Sequence, residues 1–249
     1  MATDDNEQNP FTRPRFITAT VLVALIVVLG IVLAIVNATR SDDPDPAPEP
    51  SSPSPTTSAA PTTEPSDDAG GASVCGLGGE ELTGSLSTAP EAEWAYQGTT
   101  AYPTSPEYGP GETTADGVRF CFQHSPTGAL FMAANALVQG SDPVVSQAWV
   151  DYSLADGPYR DELIGQVGDT SGSEGTRMSL AGFRMLAYDG DTARVDLAVR
   201  ASSGGQNLTL SGVYKLVWQD GDWKISADVA QPLNTATVPD LAGYITWGE

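Results

Sequence analysis

The chain holds few residues suited to catalysis: one histidine, His124, and two cysteines, Cys75 and Cys121. The cysteines do not form a CxxC pair, and His124 cannot complete a zinc site with them. A histidine can act as a general base, but no Ser–His–Asp arrangement has a recognisable partner for this one. Its place just before a helix start suits capping or packing. Asp151, Tyr152 and Asp156 lie close together in sequence. Five positions turn a helix by about 140°, so the two carboxylates do not share a face. Tyr188-Asp189 sits at a turn, where Asp is ordinary turn chemistry. Glu80-Glu81 and Asp161-Glu162 read as solvated pairs, and no phosphate loop or calcium loop is present. No catalytic, metal-binding or cofactor-binding residue is expected, and the chain reads as a non-enzyme. Five aromatics, Trp149, Tyr152, Tyr188, Trp218 and Trp223, are the candidate lining of a pocket or interface.

The cysteines are better explained as one disulfide, Cys75–Cys121, closing a loop of about 47 residues in an oxidising compartment. In the loop-entropy description such a bridge contributes about 4 kcal/mol.

What precedes Cys75 places that compartment outside the cell. Phe16 to Ala38 carries no charge, and at 1.5 Å per residue it spans roughly 30 Å, the thickness of a bilayer core. Arg13 and Arg15 precede it and Arg40 follows, which favours an inside N-terminus. Val36-Asn37-Ala38 resembles a signal-peptidase site. The apolar stretch, however, exceeds the roughly 7–15 residues of a cleaved signal, so a retained anchor is expected. Residues 39–73 are rich in Pro, Ser, Thr and Asp and contain no aromatic. Such a segment cannot bury enough surface to offset chain entropy and reads as a disordered spacer. The expected organisation is a cytoplasmic tail (1–15), a transmembrane signal anchor (16–38), the linker (39–73) and an extracellular domain (74–249). Within that domain, 74–123 is an irregular disulfide-bonded subregion and 124–249 the α+β core. The expected location is the plasma membrane, crossed once.

Charge narrows the partners. The chain has 32 acids and 11 bases, for a net −21. Three of those acids fall in the tail and seven in the linker, and three of the bases lie before residue 74. The domain therefore carries 22 acids and eight bases, about −14. This excludes nucleic acid, whose phosphates demand clustered cations, and points to basic or neutral partners. Lysine occurs only at Lys215 and Lys224 against nine arginines, a bias of GC-rich genomes.

The domain's elements follow from periodicity. Residues 76–118 alternate Pro, Tyr and Gly and read as a long ordered loop packed on the core by Trp94 and Tyr96. Ser125-Pro126 is an N-cap with proline at the first helical position, opening a helix that ends near Gly140. Asp142-Pro143 repeats the signal for a second helix through Trp149 and Tyr152, and a short third covers Tyr159 to Gly165. From about Thr176 the period becomes two. Val195, Leu197 and Val199 oppose Arg194, Asp196 and Arg200, and Leu208, Leu210, Tyr214, Leu216 and Trp218 continue the pattern. Asp189-Gly190, Gly204-Gly205 and Asp220-Gly221 mark the turns. The fold class is α+β: three helices packed on a curved antiparallel sheet of about four strands.

Helices followed by such a sheet, closing in WQDGDWKI (Trp218 to Ile225), resemble the cone-shaped nuclear-transport-factor-like (SnoaL-like) fold. The resemblance implies that the Asp-Gly supplies a tight turn and a Trp roofs the open end of the sheet. A short tail, one anchor and an outer domain of this kind are similar to the bitopic scaffold subunits of type IV secretion and conjugation systems. His124 to Ala129 and Val238 to Leu241 also resemble an actinobacterial domain of unknown function found in bitopic proteins. The disulfide-bonded loop departs from the scaffold pattern. The implied role is assembly of a conjugation or secretion apparatus through other membrane or envelope proteins, or through further copies of the chain. A pocket binding a small ligand or the cell wall is the alternative, and a hydrolase or isomerase a lesser one.

Overall fold

A computed structural model describes residues 72–168, 177–203 and 206–249. The segments read as tail, anchor and most of the linker, and the Gly204-Gly205 turn, lie outside the described residues. Among the described residues no helix is long and apolar enough to cross a membrane.

The domain is α+β, with three helices and a mostly antiparallel set of strands. Helix α1 spans Pro126–Ser141, α2 Ser146–Ser153 and α3 Arg160–Gly168. Ser125 caps α1 as its sequence requires: the backbone is extended and the side chain accepts the Gly128 amide at 3.0 Å. Gly128 is needed there, because a Cβ would fall 1.9 Å from the Gln123 carbonyl oxygen. Helix α1 is buried on nearly every side, as expected of a helix apolar all round.

The second helix starts later than expected. Asp142 ends α1 instead of opening α2, and its carboxylate accepts the Val144 amide at 2.8 Å in an Asx turn. Helix α2 then begins at Ser146 without a side-chain cap.

Residues 76–118 are more ordered than a loop. They contain the hairpin β1 (Glu93–Gln97) and β2 (Thr100–Thr104), and β3 (Glu112–Thr113) pairs with β4 (Arg119–Phe120). Strand β2 was hidden by Pro103, which sits at an edge where no ladder amide is missed. Trp94 packs against Trp247 at 5.3 Å between ring centroids, but Tyr96 is 54% exposed and anchors nothing.

Among the described residues the main sheet has six strands, where about four were expected. β5 (Arg177–Tyr188), β6 (Thr192–Ser203) and β7 (Gln206–Gln219) form a meander. β8 (Asp222–Ile225) and β9 (Leu233–Val238) both pair with the free edge of β7, and β10 (Ile245–Thr246) pairs with β5. Strand β9 reads LNTATV and is mostly exposed, so it lacks the alternation that reveals a strand. Bulges between Leu180 and Gly182 and between Met185 and Ala187 bend β5. The inner face, carrying Val195, Leu197, Val199, Tyr214 and Leu216, packs against the helices. Trp247 enters the same core beside Phe131 and Phe183.

The Cys75–Cys121 disulfide is formed, with a Cα–Cα distance of 6.0 Å. The paired variant Cys75→Ser/Cys121→Ser is expected to lose about 4 kcal/mol of stability. Denaturant unfolding measures this, and an unchanged midpoint would show that the bridge does not constrain the unfolded chain.

Candidate functional site

The Asp-Gly turn between β7 and β8 fixes Asp222, a buried carboxylate that accepts four hydrogen bonds. Asp220 and Gly221 both adopt positive φ, 55° and 74°, which closes the tight hairpin. Asp222 is thereby carried into the interior. Its Oδ1 accepts the amides of Phe122 at 2.8 Å and Trp223 at 2.9 Å. Its Oδ2 accepts the Cys121 amide at 2.8 Å and the Tyr152 hydroxyl at 2.9 Å. The Lys224 ammonium lies 3.2 Å from the centroid of the Tyr152 ring and donates to the Tyr152 carbonyl at 2.8 Å. Burial pushes the Asp222 carboxyl up, opposed by these amides and by Lys224, and pushes the Lys224 ammonium down. Burial likewise raises Tyr152 far above the ordinary tyrosine range.

Tyrosine, carboxylate and lysine together could in principle move a proton. Here both carboxylate oxygens are taken by donors of the same chain, which leaves no position for a substrate. The cluster ties α2, the Cys121-Phe122 backbone and the last hairpin together.

An aromatic stack adjoins it. His124 lies flat on Trp218, with centroids 3.9 Å apart, and edge-on to Trp223 at 5.8 Å. Its Nδ1 faces Glu80 at 3.1 Å and its Nε2 faces the Gly190 carbonyl at 2.7 Å. Glu80 is therefore engaged and is not simply solvated. Tyr188 reaches the same group, 5.8 Å from Trp223, and its hydroxyl donates to the Glu81 carbonyl at 2.6 Å. Trp223 is fully buried and donates its indole N–H to the Gln123 carbonyl. Of the five candidate aromatics, Tyr188, Trp218 and Trp223 come together, and Tyr152 joins them through Asp222. Trp149 stands apart, packed on Gly140 of α1, where a Cβ would come within 3.0 Å of its ring. All five pack the interior or its margin.

Two polar groups had no signal in the sequence. Arg119 is buried, donates to Asn135 at 2.8 Å and Gln97 at 2.6 Å, and stacks over Tyr102. Asp196 is wholly buried on the outer face of β6. It accepts Arg184, Ser211 at 2.7 Å and Tyr244 at 2.9 Å. Alternation placed Asp196 in solvent, whereas Tyr244 and Arg184 cover it.

Two clefts are open. One of about 840 Å³ lies at the free ends of β5, β6, β7 and β9, lined by Arg177, Arg200, Asn207, Thr209 and Thr237 among others. The other, about 440 Å³, is lined by Gly78, Glu107 and Gln123. None of the five candidate aromatics lines either. Among the described residues no three His, Cys, Asp or Glu side chains gather as a metal site.

A domain of unknown function, DUF8175, matches residues 53–246, and the chain belongs to that family. No curated protein and no solved structure matches it.

Two expectations follow from this geometry. Asp222→Ala leaves the buried Cys121 and Phe122 amides without acceptors and should cost about 3–5 kcal/mol in denaturant unfolding. A loss near zero would remove Asp222 from its central place. Burial also holds Tyr152, Tyr188 and Tyr214 protonated above the usual tyrosine pKa. Their contribution to stability is complete below the unfolded value, near pH 10, and declines as pH rises beyond it. Absorbance titration should show these three ionising only with unfolding. Smooth titration of all eight tyrosines at ordinary pH values would contradict this.

Proposed function

We propose that the chain is a membrane-anchored module whose head, displayed outside the cell, assembles with other envelope or membrane proteins and performs no chemistry of its own. One observation carries the reading: the space between helices and sheet is filled by the domain's own side chains. Phe131, Phe183, Leu197, Leu216, Trp223 and Trp247 occupy it. The tyrosine-linked carboxylate beside it, Asp222, is saturated by its own backbone. A domain built this way offers surfaces to a partner.

The disulfide supports an exported head, and the uncharged stretch Phe16 to Ala38 supplies the anchor. Three helices preceding an antiparallel sheet is also the order of nuclear-transport-factor-like domains. We extend the reading to a scaffold of a conjugation or secretion apparatus on that ground. A small-ligand module would need an aromatic-lined pocket, and neither of the two clefts has one.

Crosslinking in intact cells, followed by identification of what co-purifies with a tagged chain, tests this. Recovery of transport ATPase or channel subunits is the expected outcome. Recovery of the chain alone, or with wall fragments only, would overturn the reading.

A further inference from the structure

Charge is distributed very unevenly over this acidic domain. Strands β5, β6, β7 and β9 contain five bases, Arg177, Arg184, Arg194, Arg200 and Lys215, and a single acid, Asp196. The domain's other 21 acids and three bases lie elsewhere in residues 74–249.

Strand register puts all five bases on one face. Ser179 opposes Arg200, Arg177 opposes Ser202, Arg184 opposes Asp196, and Arg194 opposes both Ala187 and Lys215. Partners across a ladder share a face, and so do residues two apart along a strand. This is the outer face, turned away from the helices. Arg184 neutralises Asp196, and no ion pair among the described residues reaches Arg194, Arg200 or Lys215. Arg177, Arg194 and Arg200 are exposed and Lys215 is half-buried.

The fold retains this arrangement against its own electrostatics. Arg194 and Lys215 are direct cross-strand neighbours, and like charges so placed destabilise a sheet. Departures from such local rules are expected at functional surfaces.

We propose that the outer sheet face binds an anionic polysaccharide. Arg194 and Arg200 lie six residues apart on β6, roughly 20 Å at strand rise. That span suits the repeated charges of an extended polyanion better than a single anion. Between and beside the cations stand Ser179, Ser202, Asn207 and Thr209, hydroxyl and amide groups matched to sugar hydroxyls, and several of them line the larger cleft. An acidic peptide would more naturally add to a sheet edge, where its backbone finds partners. These cations point out of the face instead. The overall charge argued for basic or neutral partners, and the sheet face is the local exception.

This inference does not rest on the protein partners proposed above: a glycan can bind where no secretion subunit co-purifies, and the reverse. The test uses the full chain in neutral detergent, with heparin and polygalacturonate as probes, dextran as the neutral control and polyglutamate as the acidic polypeptide. Heparin or polygalacturonate should bind at low salt and weaken as salt rises, and dextran should not bind. Arg194→Ser/Arg200→Ser should lower glycan affinity roughly tenfold or more. Its unfolding midpoint should stay level or rise, because a like-charge contact is relieved. Should that variant fail to fold, Lys215→Gln provides the same comparison with one charge removed. Absence of glycan binding, or undiminished binding by the folded variants, would overturn the proposal. So would equal or tighter binding of polyglutamate, which would make the partner an acidic protein segment.

Discussion

The Asp222 carboxylate joins three parts of the chain at one point: the β7–β8 hairpin, the Cys121-Phe122 backbone and α2. Cys121, one of its donors, has a φ of 66°, a region an L-residue other than glycine seldom occupies. That conformation persists because the surroundings over-determine it: the Asp222 bond fixes its amide, the disulfide its side chain, and the Gly111 amide its carbonyl at 2.8 Å. From this point Phe122, Gln123 and His124 are directed under the last hairpin. Ser125 then starts α1 at the angle needed to cross the sheet.

A buried carboxylate is tolerable only when its hydrogen-bond demand is met. Four donors meet it here, and three of them are backbone amides, those of Cys121, Phe122 and Trp223. Such a site is rigid because its donors are. The same logic governs Asp196 on the outer face, where Arg184, Ser211 and Tyr244 converge from β5, β7 and the segment before β10. The two aspartates thus fasten different parts of the sheet, Asp222 the β7–β8 hairpin and Asp196 the middle of β5, β6 and β7.

How much of this could be read in the sequence depends on how local the signal is. The start of α1 was legible because Ser125 and Pro126 act within one turn. The β6 and β7 strands were legible because alternation reports a half-buried surface. Asp142 misled, since an Asx turn that ends one helix and a cap that opens another draw on the same residue type. Strands β9 and β10 gave no pattern: one is mostly exposed and the other two residues long. The burial of Asp196 depends on Tyr244, 48 positions away, and no periodicity reports contacts at that separation. The candidate aromatics were legible as large residues, but which of them meet was not, since Trp149 packs apart on α1. Trp218 and Trp223 pack on His124 under the last hairpin, and Tyr188 joins them through Trp223. The cationic face was not legible, because the domain's net charge of about −14 masked the bases of β5 to β7. Register then showed that its members share one side.

The place where the chain enters the fold has a mechanical meaning. Ser73 is buried, the Val74 amide donates to the Gly221 carbonyl at 2.7 Å, and Cys75 follows at once. A pull exerted on the preceding chain would first meet those contacts at the β7–β8 turn. It would then pass covalently through Cys75 to Cys121. Residues 76–120 would be bypassed, so the β1–β2 hairpin and its neighbours would carry no tension. The load would arrive at the backbone held by Asp222, beside the entrance of α1 and against the interior of the domain. A domain pulled from that end would resist being peeled open for as long as the bridge stays oxidised. Under reducing conditions the same tug would unravel the loop first.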